Sequence, residues 1–413
     1  MKQLPQDFFR APYGHYARWR AEGPVHPVEF STGARAWVVV GYDAARQVLR
    51  DPTVRKDPGS EAGAMVRGGS GGGSGLTAVN PRLLRHLLNS DGAHHTRMRR
   101  AVSPVYAPGR VDALIPRVTA IAESLLDRLA AAARENGHAD LMTEFAFPLP
   151  ITVICEMLGV PVADRHRFRY WSMIVSDATL SDPEEMRVTT DAIVDYFDAL
   201  LAERRAHGRA DGTDLLSTLL HAPGDGERLT DDEILATAFL VLIAGHETTV
   251  NLLGNSVLTL LSEPGRYREV AEHPDRVPGL VEEMLRYDGP VNMSTMRYTT
   301  APIVVGDTVV PAGEMILVAL GSTNRDERRF PAASRFDPAR DQTGHMAFGH
   351  GVHFCLGAGL ARMESRIALT ALLRRFPDLR LAVDPADLRW QESLLFRGVR
   401  ELPVDPSPAA ARA

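Results

Sequence analysis

Phe348-Gly349-His350-Gly351-Val352-His353-Phe354-Cys355-Leu356-Gly357-Ala358-Gly359-Leu360-Ala361-Arg362 decides how the rest of this chain is read. It sets one cysteine in a glycine-dense loop and follows it with a helix-forming run. A thiolate at a helix start is stabilised by the positive end of the helix dipole and by free backbone N–H groups. Glycines let the backbone approach a large flat group that side chains would block. A soft anionic sulfur held this way is a good iron ligand, and thiolate-ligated haem is one of the few haem arrangements known.

Upstream, Leu229-Thr230-Asp231-Asp232-Glu233 opens the longest helix of the chain. Thr230 and Glu233 have capping-box spacing, and acids fill the first turn. No breaker appears before Pro264-Gly265, so residues 231–263 predict a helix of 33 residues, roughly 50 Å long. Such an apolar helix must run through the core, yet its middle reads Ala244-Gly245-His246-Glu247-Thr248-Thr249, with Asn251 and Asn255 beyond. Burying those groups costs several kcal/mol unless they are paired or wetted. One reading is structural: Thr248 bonded back to the Ala244 carbonyl and Glu247 in an ion pair. The other is functional: a groove of small residues, Ala244 and Gly245, facing a cofactor, with Glu247 and Thr248 handling protons.

Two further pairs are spaced for one helix face. His95 and Arg99, in Asp91-Gly92-Ala93-His94-His95-Thr96-Arg97-Met98-Arg99-Arg100, would suit a bound dianion or a basic surface helix. Glu283 and Arg286 would form an ion pair, ordinary by itself at about 1 kcal/mol or less.

These stretches resemble, in order, the signatures of the cytochrome P450 family. Phe348, Gly351, Cys355 and Gly357 are the fixed points of its haem-binding loop, and Ala-Gly-x-Glu-Thr matches its oxygen-binding helix. The resemblance implies a mainly α fold with a smaller β region and haem b between the long helix and the cysteine loop. It makes Cys355 the metal ligand, with Phe348, Gly349, Gly357 and Ala244 around the cofactor. It makes His95, Arg99, Arg297 and His353 the propionate partners, and Glu247 with Thr248 the catalytic proton relay. His-x-x-x-Arg is the family's propionate element, although Gly92-Ala93-His94 departs from its usual Pro-Pro-Glu. His94 receives no role. Glu283 and Arg286 would lock with a downstream arginine, matched to Arg335, into a buried structural network. Val291, Asn292 and Met293, with Leu394 and Leu395 from the family's last substrate-contacting turn, would line the substrate pocket.

Composition sets outer bounds. With 46 basic and 52 acidic residues the net charge is −6, which does not suggest a nucleic-acid binder. Only Lys2 and Lys56 are lysines, leaving 44 arginines as the other basic residues. The start has no apolar h-region or membrane anchor, and the most apolar run, 234–245, is short for a membrane span. Cys155 and Cys355 make no disulfide framework, and Cys155, among apolar neighbours, reads as core filling. The expectation is a cytoplasmic monomer.

Length alone would allow about three domains. The matching elements, from about His95 to Arg397, overrule that in favour of one domain over 1–413, with 405–413 a disordered tail. The Gly/Ser run 68–75 then reads as a mobile loop, not a linker. Its accidental Gly-x-Gly-x-x-Gly lacks a strand–turn–helix context. Residues 36–40 predict a strand ending at Gly41, with Asp43 capping the next helix. Residues 112–222 read as mostly helical, with 168–200 as the roof over the substrate. Residues 303–305 and 308–310 predict a hairpin about Gly306-Asp307, 315–320 another strand, and 360–376 a helix.

No flavin or nicotinamide fingerprint is visible, so electrons must come from outside. The resemblance implies a ferredoxin and ferredoxin reductase, with Arg100, Arg362 and Arg366 contributing to a basic docking surface. The expected reaction is insertion of one oxygen atom into a C–H bond of a small hydrophobic substrate, such as a polyketide or macrolide. The other readings are a peroxygenase, a haem protein that binds ligands without oxygenation, and a Cys/His zinc module built on His345, His350, His353 and Cys355. The last lacks the spacing of a standard finger.

Overall fold

The computed structural model describes residues 1–31, 33–57, 78–176, 182–207, 214–221 and 228–406. The Gly/Ser run 68–75 lies outside them.

The β region draws on both ends of the chain. Its main sheet runs Lys2–Gln3, Val25–Glu29, Arg35–Val39, Met315–Val318, Arg297–Thr299, Val54–Arg55. The β-branched run expected at 36–40 forms Arg35–Val39, antiparallel to Val25–Glu29 and parallel to Met315–Val318. The strand expected over 315–320 stops at Val318 and gives way to a short helix, Leu320–Thr323. The hairpin forms as read, Ile303–Val305 against Thr308–Val310, with Gly306 at φ 60°. Asp43 does not cap: Gly41 is the N-cap of the helix Tyr42–Arg50, and Asp43 sits in its first turn, where its charge still favours the helix dipole.

Helices make up the rest. The stretch read as mostly helical holds Ile115–Asn136, Pro148–Leu158, Arg165–Ser176, Pro183–His207 and Leu215–Leu220. The expected roof falls on the third and fourth of these. Cys155 is a buried free thiol, pushed up to about 12 by that burial. It fills core.

The central helix is Asp231–Leu261, two residues shorter than its sequence limit. Both capping-box bonds are present: Glu233 N–H donates to the Thr230 hydroxyl, and Thr230 N–H donates to Glu233 Oε2 at 2.8 Å. Glu233 also pairs with His94 at 2.7 Å and with Arg97. His94, given no role above, thereby fastens the helix Gly92–Val102 to the start of the central one.

Among the described residues the central helix alone is long and apolar enough to cross a membrane. It packs instead against Pro148–Leu158, Arg165–Ser176, Val277–Asp288 and Ala358–Arg375, most of its length buried. It is the axis of the largest apolar cluster, which holds Leu235, Leu242, Leu253 and Leu260.

One boundary needs correcting. Asp405 is not tail: it belongs to the strand Pro403–Asp405 and pairs with Arg380. Residues 407–413 lie outside the described set.

Candidate active site at the cysteine loop

The loop's shape is set by backbone bonds and two left-handed glycines. Cys355 N–H donates to the Phe348 carbonyl at 3.0 Å and Phe354 N–H to Gly351 at 3.1 Å. Gly349 and Gly351 have φ of 74° and 77°, and a Cβ on Gly351 would lie 2.7 Å from the Leu49 carbonyl oxygen. Gly357 differs: a methyl there would meet only ordinary contacts, 3.8 Å from the Tyr106 ring and 3.9 Å from Cys355 Sγ. Among the described residues nothing crowds that position, so a group bound beside Cys355 would be the reason for a glycine there.

Phe348 is held under the Arg362 guanidinium, 4.4 Å from the ring centroid. Cys355 precedes the helix Ala358–Arg375 and its surface is accessible, though it lies deep among protein atoms. That burial pushes its thiol up, and the Gly357 N–H, Arg99 and Arg362 pull it back only in part. Metal coordination deprotonates a thiol outright, so a bound iron would complete what the Gly357 N–H and the two arginines begin.

Beside the loop is a cluster of donors short of acceptors. The rings of His95 and His353 are 4.4 Å apart, and both residues, with Arg297, are buried or nearly so. His95 Nε2, His353 Nδ1 and Arg297 Nε have no partner. Asp91, 4.0 Å from His353 Nε2, is the carboxylate facing them. Burial, then Arg297, His95, Lys56 and Arg99, hold His353 down to about 2, and burial lowers Arg297 to about 10. Orphaned buried donors are costly, and an ordered pair of carboxylates would satisfy these. Together with an accessible thiol, the donor set fits a haem with two propionates. Arg99 stands differently from the expectation: it donates to the Val352 and Phe354 carbonyls at 3.0 and 2.9 Å, bracing the loop itself.

On the central helix, Ala244 is exposed and Thr248 partly so, between turns that are otherwise buried. The Thr248 hydroxyl donates to the Ala244 carbonyl at 3.0 Å, as the structural reading has it. Gly245 does not share their face. A Cβ on it would lie 2.5 Å from Ile154, so it serves packing against Pro148–Leu158. Glu247 is buried and accepts from Asn251 Nδ2 and Gln391 Nε2, both at 3.3 Å, with His246 Nε2 3.7 Å away. Gln391, distant in sequence, was not foreseen. Two residues beyond Glu247, Thr249 stands beside Glu364 of the cysteine helix, a carboxyl whose pKa complete burial pushes well up.

The structural network is present with one member changed. Arg286 donates through Nε and Nη2 to Glu283 at 2.7 and 2.6 Å, both side chains fully buried. Arg286 also donates to the carbonyls of Asn324, Ala333 and Arg335. Arg335 contributes only that carbonyl, its side chain being exposed. The arginine that reaches Glu283 is Arg340, 3.5 Å away. A turn closed by Arg340 N–H to the Asp337 carbonyl brings it round, where it also donates to the carbonyls of Pro331, Ala332 and Arg335.

The two segments expected to line a substrate pocket do meet: Asn292 N–H donates to the Leu395 carbonyl at 2.8 Å, and Val291 bridges Phe396. Two of the named side chains turn the other way. Asn292 accepts from the Tyr16 hydroxyl at 2.8 Å, and Met293 is buried with Phe8, Tyr16 and Trp19 in a core below the N-terminal segment. Leu394 packs against that core and Val291 against the one around Val39 and Ile316, and both stay partly exposed, as does Leu395.

Two basic residues expected at a docking surface are engaged. Arg362 donates to Glu282 at 2.7 and 2.9 Å, and Arg366 lies 3.6 Å from it. His345 joins the same carboxylate at 3.1 Å, which removes it from any zinc set with Cys355.

A family model for cytochrome P450 matches residues 160–387. Cytochrome P450 107B1 of Saccharopolyspora erythraea is 44% identical over 399 residues, 97% of this chain and 96% of that protein. Cytochrome P450 monooxygenase PikC of Streptomyces venezuelae is 44% identical over 404 residues, 97% of this chain and 92% of that protein. The solved structure of the tirandamycin C-bound P450 monooxygenase TamI matches with a TM-score of 0.88 and 36% identity, covering 98% of this chain and all of that one.

Proposed function

This chain belongs to the cytochrome P450 family of haem-thiolate monooxygenases, and we propose that it hydroxylates a hydrophobic secondary metabolite of polyketide or macrolide type, with epoxidation as a companion outcome. The observation that carries the cofactor assignment is the set of unpartnered buried donors, His95 Nε2, His353 Nδ1 and Arg297 Nε, beside the accessible Cys355. Tirandamycin C bound in the structural relative supports the substrate class.

Haem b, when bound, supplies the oxygen activation that amino-acid side chains lack. The chain's residues hold it and manage protons. Cys355 would ligate the iron through sulfur. His95, Arg297 and His353 would hold the propionates, while Arg99 braces the loop and would share in that task. Phe348, Gly349, Gly357 and Ala244 would border the cofactor.

Thr248 holds a proton on its hydroxyl, lent to the Ala244 carbonyl at rest and free to rotate outward. Glu247, clamped by Asn251 and Gln391, is the acid from which that proton is replaced. Val291 and Leu395 orient the substrate, below a roof formed by Arg165–Ser176 and Pro183–His207. The overall balance takes the substrate's C–H group, one O2, two electrons and two protons to the hydroxylated product and one water.

The electrons come from a ferredoxin and its reductase, which dock near Arg100 and the exposed Val352 and Phe354. We read the enzyme as a cytoplasmic monomer of one domain, in keeping with its two free thiols. The intact acid–alcohol pair favours O2 over peroxide as oxidant. Turnover with O2 and ferredoxin, run beside turnover on hydrogen peroxide alone, tests this. Faster product formation on peroxide would reverse the assignment. Cys355→Ser should abolish the red-shifted band of the reduced carbonyl complex, and its survival would remove Cys355 as ligand.

A further inference from the structure

Lys56 is one of two lysines in the chain, and it is buried. It follows the strand Val54–Arg55, which pairs with Tyr298 and Thr299 just beyond Arg297. Its ammonium donates to the Thr295 hydroxyl and to the Met296 carbonyl, the latter at 2.9 Å. Its own amide N–H donates to Asp91 Oδ2 at 2.8 Å, and the Asp57 amide does so at 2.9 Å. One residue therefore ties together the edge strand, the start of the helix carrying His95, and the backbone that leads into Arg297.

The charges are out of balance. The groups facing the Lys56 ammonium are Arg297 on the sheet, Asp91 and His86 ahead of the histidine helix, and His353 in the cysteine loop. Its direct acceptors are neutral oxygens. A buried ammonium without a bonded carboxylate is expensive. Burial, then repulsion from Arg297, pushes it well down toward its neutral form, with Asp91 opposing. His86 is likewise held neutral, at about 3, by burial and by Lys56. A pair of carboxylates bound at Arg297 would offset that repulsion and favour the lysine's charged form.

We propose that Lys56 is a positioning residue of the cofactor cradle, fixing through Thr295 and Met296 the backbone that presents Arg297 and placing a buried positive charge behind the propionates. This rests on the reading of that cradle as the propionate site. Three holoproteins test it: K56M, T295V and R297L. Haem release is followed by transfer to apomyoglobin, and the midpoint potential is measured as a function of pH.

K56M should release haem roughly ten-fold faster, the scale of one charge-assisted hydrogen bond. It should also lower the midpoint potential and flatten its pH dependence, because a buried cation favours the reduced, less positive iron. T295V keeps the lysine and removes one acceptor, so it should shift the same quantities less; it decides the matter if K56M does not assemble. An unchanged potential and pH dependence in the variant that assembles overturns the proposal, whatever the release rate. If R297L keeps haem as the parent does, the cradle reading itself fails, a result separable from the first.

Discussion

Arg340 sets its guanidinium 3.5 Å from Oε1 of Glu283, the carboxylate that Arg286 already grips at 2.6 and 2.7 Å. The Asp337 N–H donates to the same oxygen at 2.8 Å. A carboxylate with that many donors and no exposure is stable only while they are all present.

Arg286→Ala should therefore destabilise the protein by about 3–5 kcal/mol, the usual consequence of uncovering one partner of a buried pair. Arg340→Ala should cost less, its charge being further from Glu283. Arg335→Ala should fall within about 0.5 kcal/mol of the parent, because only its carbonyl is used. Urea unfolding of the three variants checks the ranking.

Thr248→Ala should bind haem and substrate as the parent does, while product formed per electron consumed falls several-fold and hydrogen peroxide rises. Loss of the hydroxyl removes the proton donor on the face next to Ala244 without touching the buried turns around it. Oxygen, peroxide and product are measured in one reaction; coupling equal to the parent's would deny Thr248 its role.

Gly351→Ala joins two penalties. The residue would sit at φ 77° and its methyl 2.7 Å from the Leu49 carbonyl oxygen, which is backbone and cannot step aside. A loss of roughly 2 kcal/mol or more is expected, with poor haem retention. Gly357→Ala, free of such contacts within the chain, should leave the apoprotein's stability unchanged and show its effect only in the haem spectrum.

Acid should weaken the fold through two carboxylates. Burial alone would raise Glu233, but Arg97, the Thr230 N–H and His94 outweigh it and hold it at about 2 against an ordinary 4.5. His345 and Arg362 do the same for Glu282, also to about 2. A depressed carboxylate contributes stability that is complete above its unfolded value and lost as pH falls through the folded one. Between pH 4.5 and 2, each should give up about 1 kcal/mol once solvent screening is allowed for. Glu233→Gln should remove its share of that slope in unfolding measured across the window, and an unaltered slope would count against the pairing.

What the sequence discloses is mostly what is local. The capping box of Thr230 and Glu233, the Gly306 hairpin and the loop around Cys355 are encoded within a few residues, and all are found where their spacing puts them. The choice between Arg335 and Arg340 depends on a turn at Asp337 that carries no strong mark. The inward turn of Asn292 and Met293 depends on Tyr16, 276 residues before Asn292. Gln391 on Glu247 and Lys56 behind Arg297 are joined to their partners only by the tertiary fold, and neither belongs to a motif. A buried lysine in a chain that otherwise uses arginine was visible from composition, but its burial was not.

Asn324 accepts from Arg286 through its carbonyl and from the Met346 N–H through its side-chain oxygen, the latter at 2.6 Å. Met346 lies just ahead of the cysteine loop, and its neighbour His345 binds Glu282, so two adjacent residues tie the loop to the helix Val277–Asp288. An order of assembly is the expected consequence: the thiol should reach its final place only once the segment around 277–340 has closed, with cofactor capture following. In refolding followed by hydrogen exchange, protection of Val277–Asp288 should precede the rise of the haem band, and the reverse sequence would contradict that order.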